Sequence, residues 1–332
     1  METNHGATNA QTNTHLLVLL VQGEHVVAQR ILNVAQGGYR SLLKELAYRA
    51  VATDPARLAG RPWQFNLELE DVGTENPRLR CEAWLKGQPQ PPLVVLSVPV
   101  NNFGWVGVGI AQELKLEDYS VHVAVPEPDY PAVRESREWE DADFAVSFDE
   151  EPELLLPTDF STEPLGPREV VRRVGKGTWH KCVFERRAWN TFVAAAGAET
   201  EVERGWLASA RMHLVDGACF TVVEELFELP DRAGQYYVHT QGREFFQLHR
   251  QLGPRLGGHL HLHPREVEGT ALGPNPSGPD VTVAWNLEAA STLLPVLPIA
   301  MFGTCPETCG KDVAAHAFAG GKIREIDLEV VQ

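Results

Sequence analysis

The stretch GGHLHLHP, residues 257–264, constrains the fold more than any other part of the chain. Histidine and leucine alternate along it until a proline ends the run. Alternation with period 2 marks a β-strand, whose successive side chains point to opposite faces. His259, His261 and His263 therefore share one face of a sheet, and Leu260 and Leu262 share the other. The leucine face needs an apolar layer over it. The histidine face needs hydrogen-bonding partners or a metal ion, because buried polar groups without partners are costly.

At 332 residues the chain is long enough for two domains. Residues 1–14 read as a disordered tail; with no Lys or Arg they do not resemble a secretory signal. Residues 15–125 read as an N-terminal mixed α/β accessory domain. Strand-like runs fall at 16–22, 63–72, 79–87, 92–100 and 119–125, and a helix at 39–52. The stretch GWVGVGIAQEL, 104–114, has one G-x-G but no third glycine in register and no acidic residue placed for a ribose. It reads as a glycine-bearing turn into a helix. Residues 126–168 are acidic and proline-rich and read as a linker.

Residues 169–332 read as a second domain. Helices are expected at 185–198, 242–252 and 281–291, and strands at 201–215, 218–229, 235–240, 293–303, 314–320 and 322–331, besides the histidine strand. Helix 185–198 should turn Trp189, Phe192, Val193 and Ala196 to one side. This order predicts an α+β fold with one mixed sheet and helices packed on it.

Charge and cysteine content narrow the functions. A net charge of −16 and a pI near 5.2 oppose nucleic-acid binding, which must neutralise phosphates, and adhesion to anionic lipids. The apolar run Leu16–Val21 is far short of the ~20 residues of a membrane span. Five cysteines, an odd and sparse set, fit a reducing cytoplasm better than a disulfide framework. Cys305 and Cys309 form a C-x3-C pair without a second pair to complete a zinc site, and read as free thiols in a turn.

The chemistry gathers around the histidines. An H-x-H pair on a strand presents two imidazoles to one ion, and catalytic zinc sites add a third protein ligand and leave a position open. Downstream lies PNPSGPDVTVAW, with Ser277 and Asp280 as S-x-x-D leading into a helix. Upstream, Glu203 follows the helix at 185–198. In these three parts the chain resembles the JAMM/MPN (JAB-type) metalloproteases, over about residues 175–332. Glu203, His261-Leu262-His263-Pro264 and Ser277-Gly278-Pro279-Asp280 carry the resemblance. The loop PREVEGTALGPNP between the pair and Ser277 is longer than usual in the family, and His259 stands where a tryptophan is usual.

The resemblance implies an MPN-like mixed sheet flanked by helices. It also implies one Zn2+ per chain on His261, His263 and Asp280, with water in the fourth position and its pKa lowered towards ~7. Glu203 would be the general base, with Glu201 on the same strand face as the alternative and Glu224 and Glu225 as weaker candidates. Ser277 would donate to the oxyanion or the water. The implied reaction is hydrolysis of a peptide or isopeptide bond after the C-terminal glycine of a ubiquitin-like or sulfur-carrier-like protein. Conjugation-pathway enzymes would be further partners. Bacterial members of the family accompany such systems, some of them linked to phage defence. His259 reads as a residue at the rim rather than a ligand.

Two other readings use the same residues. Some MPN domains are non-catalytic scaffolds, but those lack the metal ligands. Cupin-type barrels use a glycine, H-x-H, then Glu and glycine, a spacing met by Gly253, His259, His261, Glu266 and Gly273. Cupins would require mainly strand across 200–330 and a site that needs Glu266.

Overall fold

A computed structural model describes residues 15–32, 38–58, 61, 63–87, 91–126, 160–175, 178–196, 204–229, 243–263, 266–267, 270–271, 273–276, 280–281, 283–284, 287, 291, 293–301 and 313–332. The tail 1–14, most of the acidic stretch, the expected strand at 235–240, Glu201, Glu203, Pro264, Ser277, Cys305 and Cys309 lie outside the described residues.

The N-terminal part begins with Leu16–Gln22 (β1), an apolar run ending in Gln22 and buried at four of seven positions. It pairs antiparallel with His25–Leu32 (β2) on one side and Ser120–Ala124 (β6) on the other. A second antiparallel sheet joins Trp63–Glu70 (β3), Arg78–Leu85 (β4) and Val94–Pro99 (β5). β4 alternates intermediate and buried residues along its whole length, as a strand with one covered face should. Gly38–Thr53 (α1) packs against β4 and β5, the short helix Pro55–Leu58 (α2) follows it, and Trp105–Glu113 (α3) lies along β1 and β6. The glycine-bearing turn read at 104–114 thus does open a helix.

The C-terminal part is one mixed sheet. Its strands are Phe160–Ser161 (β7), Arg168–Arg172 (β8), His180–Phe184 (β9), Arg204–Val215 (β10), Ala218–Glu228 (β11), Leu256–His263 (β12), Val296–Met301 (β15), Val313–Ala319 (β16) and Lys322–Val331 (β17). Glu266–Val267 (β13) and Thr270–Ala271 (β14) form a separate small hairpin in the loop after β12. Two helices, Arg186–Ala196 (α4) and Arg243–Leu252 (α5), connect the strands, and residues 280, 281, 283, 284 and 287 are helical.

The α+β class expected from the sequence holds. The sheet, however, closes on itself. β9, β17, β16, β15, β12, β10 and β11 pair in that order, and β11 returns to β9, making a seven-stranded barrel. Closure depends on β9, a five-residue strand parallel to both β11 and β17. Its sequence, HKCVF, is too short for periodicity to announce it. The acidic stretch also ends earlier than its composition suggests. β7 pairs with β10 and β8 with β17, so residues 160, 161 and 168 already belong to the sheet.

Two layers cover the histidine strand. On one face Leu260 and Leu262 join a core with Trp206, Val313, Ile326 and the apolar side of α4, where Trp189, Phe192 and Ala196 are buried and Val193 packs alongside. On the other, the helix that begins at Asp280 lays Val283 and Leu287 against Leu207 and Leu256, and Ala284 against Leu297, Ile299 and Phe318. Among the described residues the N-terminal and C-terminal parts share no strand pairing but do share a core. Leu42, Leu46 and Tyr48 of α1 belong to the same cluster as Met212, Leu214, Leu293 and Leu294. Among the described residues no helix is long and apolar enough to cross a membrane.

Candidate metal centre

The two glycines before the histidines set the strand's position. A Cβ on Gly257 would stand 2.0 Å from the Ala210 Cβ, and one on Gly258 would stand 2.3 Å from the Val296 carbonyl oxygen. Only glycine lets β12 lie this close to β10 and β15. Beyond them the ladder is regular: Trp206 faces Leu260, Gly205 faces His261 and Arg204 faces Leu262. Gly205 leaves the position opposite His261 without a side chain.

His261 and His263 turn towards the start of the helix that carries Asp280. The two Nε2 atoms are 2.8 Å apart. His261 Nε2 lies 3.1 Å from Asp280 Oδ1, and His263 Nε2 lies 3.5 Å from Asp280 Oδ2. Donor atoms on a tetrahedral zinc at ~2.0–2.1 Å would be about 3.3 Å apart, so these separations match the edges of a three-ligand face. The three residues are 1%, 3% and 7% exposed. They are a group of His, Cys, Asp and Glu side chains able to share one ion among the described residues.

The protonation pattern adds to this. His263 Nδ1 lies 3.2 Å from the Gly273 carbonyl oxygen, which can only accept, so the ring hydrogen belongs on Nδ1. A neutral His263 then offers its Nε2 lone pair to the site. The Asp280 carboxylate offers lone pairs to the same point. Buried acceptors converging in this way need something between them, either an N–H hydrogen of the His261 ring or a metal ion. The donor set, two imidazoles and a carboxylate, is that of a catalytic zinc or similar divalent site.

His259 behaves differently. Its ring stacks on that of His261 at 5.3 Å between centroids and 25° between planes. It is 2% exposed, and neither ring nitrogen has a hydrogen-bond partner among the described residues. Burial, with the neighbouring His261, pushes its pKa down to about 3 against an opposing pull from Asp280. The rim position expected from the sequence is therefore corrected. His259 is inside the protein, a neutral ring packed against that of His261.

Sequence reasoning brought His261, His263 and Asp280 to one place, and the fold does so too. Glu203 and Ser277 fall outside the described residues, as does Glu201; the chain neighbours of Glu203, Arg204 and Gly205, pair with Leu262 and His261. Glu224 does not join the site. It is held by Arg211 at 3.0 Å and Arg255 at 2.5 Å. Sequence reasoning overlooked Ser291, 4% exposed, whose Oγ donates to the Leu256 carbonyl at 2.6 Å. With its backbone N bonded to the carbonyl of helical Leu287, it ties that residue to the start of the histidine strand. A lone serine after an Ala-Ala pair carries no motif that would mark it.

No protein-family profile matches the chain, and no curated protein matches it. Among solved structures, protein DSY2949 from Desulfitobacterium hafniense matches with a TM-score of 0.33 and 15% identity, over 45% of this chain and 92% of its own. A likeness that distant carries no argument.

Proposed function

We propose that the chain is a metal-dependent peptidase of JAMM type that releases a ubiquitin-like or sulfur-carrier-like protein from a conjugate or precursor. The observation that supports this reading is the buried convergence of His261, His263 and Asp280, from a strand and a helix start in the order that the resemblance requires. The α+β class and the helical residues that follow Asp280 agree with this reading; the closure of the sheet into a barrel is not something the resemblance implies.

His261, His263 and Asp280 would hold one Zn2+. Bound zinc would polarise the scissile carbonyl and bring a water's pKa towards ~7. The Nδ1–H of His263, donated to Gly273, keeps that ring in the tautomer a ligand needs. Glu203 is assigned as the base that takes the water's proton and returns it to the leaving amine. Ser277 is assigned as the donor to the developing oxyanion. Both follow from the resemblance and from their chain positions beside the ligand elements.

The barrel gives the cupin reading a specific observation in its favour. Two others oppose it. Cupins are antiparallel jelly rolls, whereas β12 runs parallel to β15 and β9 parallel to β11 and β17. The third group at the two imidazoles is Asp280, on a helix that a jelly roll does not require.

The test is cleavage of a ubiquitin-like protein fused through its C-terminal glycine to a reporter, by the zinc-loaded full chain. Cleavage is expected from the wild type. Glu203→Gln should lower it by about 100-fold or more, in keeping with removal of a general base, while the zinc content stays at the wild-type level. Undiminished cleavage by Glu203→Gln would remove Glu203 from its role. A Glu266→Ala variant that loses its metal would favour the cupin reading.

A further inference from the structure

The N-terminal part meets the barrel at α1, and the contact is not an ordinary apolar one. Lys44 and Glu45 are each 3% exposed. Placing charged groups there strips them of water, a cost that a leucine or methionine would not carry. Each makes a directed bond to the other part of the chain. Lys44 Nζ donates to the Ser291 carbonyl at 2.5 Å, and Gly320 N donates to Glu45 Oε2 at 2.6 Å. Glu45 also pairs with Arg49 at 2.8 Å.

Ser291 is where the elements of the metal centre meet. Its backbone N donates to the carbonyl of Leu287, a helical residue downstream of Asp280, at 2.7 Å. Its Oγ donates to the carbonyl of Leu256, the first residue of the histidine strand, and accepts from Leu293 N at 3.0 Å. The remaining acceptor of this residue, its carbonyl oxygen, takes Lys44.

We infer that Lys44 is a positioning residue for the metal centre. The N-terminal part of the chain is then a structural component of the site, holding through Ser291 the helix that supplies Asp280 against the strand that supplies His261 and His263. The three ligand atoms must converge within a few tenths of an ångström for tight metal binding. They come from two separate elements, and the bonds at Ser291 fix one against the other. This inference rests on the metal-site reading above and not on which bond the protein cleaves.

Cobalt(II) titration of the full chain, followed by visible absorption, tests it. Lys44→Met should weaken cobalt binding by about tenfold or more and change the shape of the visible bands, as loss of a group supporting a ligand does. Ser291→Ala should act in the same direction. Trp105→Phe is the control. It removes a bond of similar kind between the two parts, Trp105 Nε1 to the Gly321 carbonyl at 2.7 Å, away from Ser291. It should leave affinity and spectrum unchanged even if it lowers the melting midpoint. Wild-type affinity and spectrum in folded Lys44→Met and Ser291→Ala would overturn the inference, as would an equal loss in Trp105→Phe. If Lys44→Met does not fold, Lys44→Gln, a shorter and neutral side chain, is compared with Trp105→Phe in its place, and the same two results decide. A wild type that takes up no cobalt would instead remove the metal-site reading and this inference with it.

Discussion

At the scale of single residues, the three histidines of one strand face divide by what their nitrogens meet. His261 and His263 point their Nε2 atoms at each other and at Asp280, and His263 is locked in one tautomer by Gly273. His259, one step back, has buried nitrogens without partners among the described residues. Each such group costs roughly 1–3 kcal/mol. His259→Phe keeps a flat ring against His261 and removes both. It should leave metal content at the wild-type level and raise urea stability by about 1 kcal/mol. His261→Ala should instead abolish metal uptake in a folded protein. Loss of metal in His259→Phe would make His259 a ligand.

At the scale of elements, the histidine strand is where sequence and structure agree most closely, because its alternation is strict and both its faces are covered. β1, β6, β10, β11, β16 and β17 are legible as short apolar-rich runs between turn residues, and α1 and α4 as apolar residues at helical spacing. β2 escaped notice. Most of its residues are exposed, so its sequence HVVAQRIL carries little pattern. β9 escaped because it is five residues long, and the barrel escaped with it. Closure is a matter of which distant strands pair in parallel, and no local pattern encodes that. The site was more legible than the fold. His261, His263 and Asp280 lie in two short motifs, whereas Ser291 and Lys44 act through backbone carbonyls that leave no mark in sequence. The glycine pair makes a prediction at this scale. Gly258→Ala would push a methyl group into the Val296 carbonyl and part β12 from β15. A cost of about 1–3 kcal/mol in chemical denaturation is expected, with weakened metal binding. An unchanged denaturation midpoint would mean that the two strands are not held as close as described.

At the scale of the whole molecule, the shared core makes the chain one cooperative unit. Removing residues 1–125 would uncover Met212, Leu214, Leu293 and Leu294, so the remaining 126–332 should not fold to a stable monomer. Tryptophan fluorescence and far-ultraviolet circular dichroism of the full chain should report one coincident transition. Two separated transitions would show that the parts fold independently. Acid should weaken the fold in a defined window. Burial pushes His180 down to about 3, and it pushes His316 down to about 4 despite the nearby Glu325. The unfolded imidazoles take up protons below about pH 6.5 while the folded ones stay neutral. The unfolded state therefore binds more protons between about pH 6.5 and 4, and stability falls as the pH drops through that range. The slope is up to about 1.4 kcal/mol per pH unit for each histidine. Urea denaturation with chelator present, at pH 7, 6 and 5, should show it. His180→Asn should flatten the profile, and a flat wild-type profile would contradict it.

The central claim is that His261, His263 and Asp280 hold a metal ion rather than a shared proton. Elemental analysis of the purified full chain after dialysis against zinc tests it most directly. The account predicts one zinc per chain in the wild type, and close to none in His261→Ala and Asp280→Asn that keep the wild-type circular dichroism spectrum. A folded wild type without zinc, or variants that retain the wild-type content, would contradict it.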